Sequence, residues 1–139
     1  MSTIIQTART AIAAAVTAAG LTCHEYEGWD LPTTPPCATL TLDEGDTSES
    51  YDQRFGFRQL TFSLRVYQQL DGGAEQGLAY QDANLHLVLT ALGADRTLGG
   101  KVTDTEVGKM STSYERRAGG STFVVGEFKV MVQPFPNVG

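Results

Sequence analysis

From Leu60 to Tyr67 apolar and polar residues alternate without a break: Leu60, Phe62, Leu64 and Val66 are separated by Thr61, Ser63, Arg65 and Tyr67. A period of two defines a strand with one apolar face, and that face must be covered by another layer. The covering element follows in the chain. Asp71-Gly72-Gly73 breaks the strand, Asp71 is the expected N-cap, and Glu75 falls in the first helical turn, where a carboxylate favours the helix dipole. From Ala74 onward Leu78, Leu85, Leu89 and Leu92 return at helical spacing. Gly93 is the expected end of that helix, and Ala94 to Gly100 reads as a short turn. Tyr80, Leu87 and Ala91 point another way, so the helix is apolar on more than one side. It is expected to be buried against the sheet on one face, and against the first helix or another subunit on the other.

The rest of the chain supplies one more helix and more strands. Thr3 to Ala19 carries a stripe of Ile4, Ala8, Ile12, Ala15, Val16 and Ala19, with Ser2 or Thr3 as cap and Gly20 in the left-handed position after its end. Leu21 to Tyr26 reads as a short strand, and Glu27 to Pro36 as a proline-broken loop holding Trp29, expected to fold back onto its own domain. Cys37 to Leu42 alternates as a second strand, and Lys101 to Val107 begins another. Ser121 to Gln133 is the last strand, with a shift of alternation near Gly126 that suits a bulge. Runs of neighbouring strands predict an α+β fold: an antiparallel or mixed sheet of about five strands with two main helices packed on it. At 139 residues this is one expected domain, spanning 1–139.

Two stretches lack core-forming residues. Asp43 to Gly56 holds five carboxylates, Asp43, Glu44, Asp46, Glu49 and Asp52, and is expected to be an exposed loop. Gly108 to Gly120 is expected to be a polar hairpin arm. The candidate interface residues lie there: Asp46, Glu49, Asp52 and Arg54 on one arm, Tyr114, Arg116 and Arg117 on the other.

Composition excludes several classes. A net charge of -6 argues against nonspecific binding to nucleic acid phosphates, and no apolar run reaches the ~20 residues of a membrane helix. The N-terminus shows alanines without a basic segment ahead of an apolar core, so no signal peptide is expected. Cys23-His24 with Cys37 and His86 matches no zinc-module spacing, and the acidic loop matches no calcium-loop order, so no metal and no cofactor are expected. The flanking positions of Cys23 and Cys37 leave a disulfide open, but two buried free thiols are the expectation; His86 reads as a partly buried packing residue. His24, His86 and Asp95-Arg96 have no paired nucleophile or base at recognisable spacing, so no catalytic residue is assigned.

Five segments together resemble the tail terminator proteins of long-tailed bacteriophages, also called tail-completion or tail-to-head joining proteins. They are the opening helix from Ile4 to Val16, the proline-rich approach to a strand from Leu31 to Leu42, the strand from Leu60 to Gln69, the Asp95 to Val107 turn where leucine-glycine-glycine leads into a valine-bearing strand, and the closing strand from Phe123 to Val132. The resemblance implies a structural virion protein made in the host cytoplasm and placed at the tail-neck junction. It implies a homo-hexameric ring that caps the tail tube, ends its growth and joins it to a neck protein, with genomic DNA passing through without specific binding. An acidic channel wall would repel DNA and let it slide. The alternatives are another neck component, such as a head-closure or connector protein, and a small-molecule-binding or enzymatic α+β domain.

The cysteine and histidine reading yields a first prediction. Chelator or reductant leaves the melting temperature nearly unchanged; a shift of several degrees would reveal a metal or disulfide constraint and overturn it.

Overall fold

The computed structural model describes residues 3–25, 36–49, 55–70, 73–116 and 120–134. The described elements are α1 (Ile4–Ala18), β1 (Cys23–His24), β2 (Cys37–Glu49), β3 (Phe55–Gln69), α2 (Ala74–Ala94), β4 (Asp104–Arg116) and β5 (Thr122–Gln133). The strands form one mixed sheet in the order β1-β2-β3-β5-β4, antiparallel apart from the β1–β2 pair. The α+β expectation holds.

The alternation in β3 does what its period demands. Leu60, Phe62, Leu64 and Val66 are fully buried. They share one core with Ala38 and Leu40 of β2, Phe128, Val130 and Val132 of β5, and residues of both helices. Both helices therefore lie on the same face of the sheet. α1 starts with a capping box: Gln6 N donates to Thr3 Oγ1 at 3.0 Å and Thr3 N donates to Gln6 Oε1 at 3.0 Å. Its core face is Ala8, Ile12, Ala13 and Val16, and Gly20 follows it at φ 107°.

α2 departs from the expected leucine stripe. Its buried residues are Gly77, Gln81, Val88 and Leu92, while Leu78 and Leu89 are exposed. The helix is rolled so that Gly77, Gln81, Leu85, Val88 and Leu92 meet the sheet and core while other leucines face outward. A Cβ on Gly126 would lie 2.6 Å from Leu85 Cδ2, and one on Gly77 would lie 2.6 Å from Leu70 Cδ2. Both glycines thus allow an approach that side chains would block. Gln81 is tolerated in the seam because its Nε2 donates to the Val66 carbonyl at 2.9 Å.

Other boundaries are corrected as well. The N-cap of α2 is Gly73, without a side-chain cap; Asp71 lies outside the described residues. α2 continues past Gly93 to Ala94. β5 runs through Gly126 in unbroken register, and the bulge sits instead on β4, between Val107 and Met110. β1 is shorter than the Leu21 to Tyr26 expected. The expected exposed loop at 43–56 is largely strand: β2 continues to Glu49 and β3 begins at Phe55. Among the described residues only β2 and β3 pair there; Phe57 still packs against the core, but the backbone ladder continues beyond it to the Glu49–Phe55 pair. Likewise β4 and β5 stay paired to Arg116 and Thr122, well into the expected 108–120 arm.

The close approach of α2 can be tested. Gly126→Ala should destabilise the fold by about 1–3 kcal/mol in urea unfolding, through overpacking against Leu85. Combined with Leu85→Ala it should cost less than the two changes summed. Additive effects would show that the contact does not limit the approach.

Candidate interaction surface

The sheet face away from the helices carries a different kind of order. β3 and β5 pair Ser63 with Lys129 and Arg65 with Glu127, which places four polar residues on that face in two facing rows. Arg65 Nε donates to Glu127 Oε2 at 2.8 Å, and Lys129 Nζ lies 3.1 Å from Glu127 Oε1. Lys129 Nζ also donates to Ser63 Oγ at 2.7 Å and to Asp43 Oδ2 at 2.5 Å, while Ser63 Oγ donates to Asp43 at 2.6 Å. Asp43 reaches the strip from β2, at the register shift between Leu42 and Glu44. One strip of charge therefore laces the three inner strands. Beside it Cys37, Tyr67, Phe123 and Val125 form a small buried cluster.

The electrostatics are those of a satisfied structural network. Burial pushes the Asp43 carboxyl up, but hydrogen bonds from Lys129 and Ser63 and the charges of Lys129 and Arg65 outweigh it, so it ends below the ordinary 3.8. Glu127 is raised by burial and lowered more by Arg65 and Lys129, ending below 4.5. Hydrogen bonds to Asp43 and Glu127 hold Lys129 above 10.5. The trio Ser63, Lys129 and Asp43 has the composition of a hydrolytic site but the wrong protonation. A lysine held charged cannot take the serine proton, and a carboxylate held low is a weak base.

The other candidate chemistry is also occupied by structure. Arg96 makes a two-pronged pair with Asp104 at 2.8 and 2.9 Å and donates to the Thr105 carbonyl. Asp95 accepts from Thr97 Oγ1 and Gly99 N, closing the turn after α2. Cys23 and Cys37 are not joined in a disulfide; Cys23 is half-buried and Cys37 buried. Burial first, then Glu25 and Cys37, push the Cys23 thiol up to about 12, so it is no thiolate nucleophile at neutral pH. His86 is exposed, not packed between leucines, because α2 presents Val88 and Leu92 to the core instead. Among the described residues no cluster of three His, Cys, Asp or Glu is placed to hold a metal ion. Among them, too, no helix is long and apolar enough to cross a membrane.

The candidate interface residues divide between two ends. Asp46 is exposed on β2 and accepts from Arg58 Nε at 3.2 Å, stapling the β2–β3 ribbon. Glu49 closes β2 opposite Phe55. Tyr114 and Arg116 are exposed on β4. Asp52, Arg54, Arg117 and Trp29 lie outside the described residues. The two hairpin ends do not meet. Glu49 pairs with the first residue of β3, whereas Arg116 pairs with Thr122, beside Phe123, which pairs with the last. β3 has 15 residues, which at ~3.3 Å each separates the ends by roughly 45–50 Å.

The charged strip was missed in the sequence. Its trace is there, as Ser63-Arg65 and Glu127-Lys129 at spacing two, but only the strand register brings the pairs together. In comparisons with known proteins, no family model and no curated protein matches this chain.

The strip predicts an acid dependence. Lowered folded values for Asp43 and Glu127 mean stability that is full above their ordinary 3.8 and 4.5 and lost as pH falls through the folded values. Wild-type melting temperature should drop below about pH 4.5, and Asp43→Asn with Glu127→Gln should flatten that drop while lowering stability by about 1 kcal/mol at neutral pH. An unchanged acid limb in the double variant would rule the strip out as its source.

Proposed function

We propose that this chain is a structural assembly protein of a long-tailed phage, a tail terminator at the tail-neck junction, and not an enzyme. Copies form a homo-hexameric ring that caps the tail tube, ends its polymerisation and joins it to the neck, leaving a channel for DNA. The observation that carries the reading is the arrangement of the resembling segments. α1, β2, β3, the turn at 95–100 and β5 together make the frame of the sheet and its helical cover. From that frame an acidic ribbon with Asp43, Glu44 and Asp46 extends at one end, and Arg116 stands at the other. Two polar hairpin ends held at opposite ends of β3 suit a subunit that touches one partner on each side, the tube protein and a neck protein, better than arms that pair with one another. The alternative uses of the same polar groups are weakened by the partners and protonation states described above.

Replacing residues 46–59 by a two-residue Asn-Gly turn joins Gly45 to Leu60, which are already paired, and keeps the core strands. Folded subunits carrying that change, or Arg116→Glu with Arg117→Glu, should fail at the junction, giving overlong tubes or tails without heads. Mass measurement of wild-type necks should find six copies. Tubes of normal length that merely lack heads in both variants would favour a head-closure role, and normal tails with heads would remove both arms from the interface.

A further inference from the structure

We infer that the outward face of α2 is a docking face for a second copy of this chain, with the two helices packed antiparallel about a two-fold axis at Ala83. The distribution of exposed apolar residues singles out this helix. Among the described residues six large hydrophobic side chains are exposed, and four of them, Leu78, Tyr80, Leu87 and Leu89, are on α2. Helical spacing sorts them into two pairs. Leu78 and Leu89 are three turns apart on the flank toward β4, where Leu89 lines a groove with Thr105 and Val107. Tyr80 and Leu87 are two turns apart on the opposite flank. Between the flanks, pointing away from the sheet, run Ala79, Ala83, His86 and Thr90, all exposed. A line of mostly short residues with large apolar ones on both sides lets a second helix come close. α1 puts nothing bulky beside it, since its outward residues Thr10, Ala14 and Thr17 are short and exposed too.

The occupant is identified by the way this face matches itself. Turned antiparallel about Ala83, α2 sets Leu78 level with Leu89 of the second copy, Tyr80 level with Leu87, and Asp82 level with His86. The two-fold axis brings each flank against the same flank, so these residues meet and every contact occurs twice. His86 of one copy falls between Ala79 and Ala83 of the other, and the two Ala83 side chains face each other at the axis. Asp82 and His86 are both exposed, and among the described residues neither side chain is taken up by a hydrogen bond or ion pair. Tyr80 Oη accepts from Gln76 Nε2 at 2.8 Å, one turn back on the same helix, which steadies the ring on its flank. Other arrangements lose these matches. A shift of one turn sets Leu78 level with Gly93 and Asp82 level with Leu89, or, in the other direction, Tyr80 level with Ala83. A parallel pair sets Asp82 against Asp82. One register therefore satisfies the flanks, the centre and the charges, and it stacks the helical layers of two copies with their sheets outermost.

Such a contact closes on two copies, whereas a ring requires head-to-tail contacts. It is therefore independent of the ring reading, and is tested on the isolated intact chain with no tail components present. One helix on another makes a small interface, so sedimentation equilibrium should show a dimer with a dissociation constant on the order of micromolar. Ala83→Glu keeps a good helix former at an exposed position but sets two carboxylates at the axis, and should raise that constant by about tenfold or more. His86→Glu sets a carboxylate level with Asp82 twice and should weaken the dimer by about threefold or more; adding Asp82→Lys restores opposite charges and should bring it back to within about threefold of wild type. Tyr114→Ser, which removes an exposed aromatic away from α2, should change nothing. Circular dichroism melts of all the variants keep folding defects apart from pairing defects. A monomer at every concentration, a dimer indifferent to Ala83→Glu, or a His86→Glu defect that Asp82→Lys does not repair would overturn the pairing. A six-copy assembly that ignores these changes would overturn it too, while leaving the ring reading standing.

Discussion

The depth at which α2 sits on the sheet controls the rest of this structure. Leu85 rests where a side chain on Gly126 would be, and Gly77 lets the first turn of α2 close on Leu70. With the helix that low, Gly77, Gln81, Val88 and Leu92 are buried, Leu85 packs on Gly126, and Leu78, Leu87 and Leu89 are left on the flanks. Leu60, Phe62, Leu64 and Val66 are fully buried beneath the helices while Leu78 and Leu89 stay exposed. The buried Gln81 follows from the same choice. It is satisfied by a strand carbonyl rather than excluded, which also orients the helix along β3.

Both helices lie on one face; on the other, among the described residues, Cys37, Tyr67, Phe123 and Val125 form a small buried cluster. The rest of the strip joining the inner strands is charged, and its groups satisfy one another across Asp43, Ser63, Arg65, Glu127 and Lys129. Such half-exposed pairs add little net stability each. Their consequence is positional: they tie the bulged part of β2 to β3 and β5 and so set where the acidic ribbon leaves the body of the sheet. The groups with the composition of a catalytic trio thus link three strands of the sheet.

The same division explains why polar stretches can be regular structure. Among the described residues no third strand pairs with the β2–β3 ribbon before Leu60, and on β4 the helix-side Met110 and Tyr114 are exposed. In both places the backbone ladder persists where the hydrophobic period fades. Such extensions present ordered surface whose entropic cost, about 1–2 kcal/mol per residue of backbone, is met by pairing.

The sequence by itself determined the elements with strong periods or punctuation. The two-residue alternation of β3, the cap and closing glycine of α1 and its Ala8-Ile12-Val16 line stand in the structure as the residues require, because each depends on local geometry and the sign of one face; Ala13, off the expected stripe, joins the core. The α+β class follows from their order. What only the tertiary structure decided is how α2 is rolled, since its sequence offers leucines on several sides and the choice among them belongs to Gly126 and Leu85, distant in the chain. It also decided that β2 extends through its carboxylates and that the bulge falls at Gly108-Lys109 rather than Gly126. Strand register, a non-local quantity, made the charged strip from residues at 43, 63, 65, 127 and 129 and set the two hairpin ends at opposite ends of β3. Local periodicity can say that a face exists; only the pairing of distant strands says which charges share it.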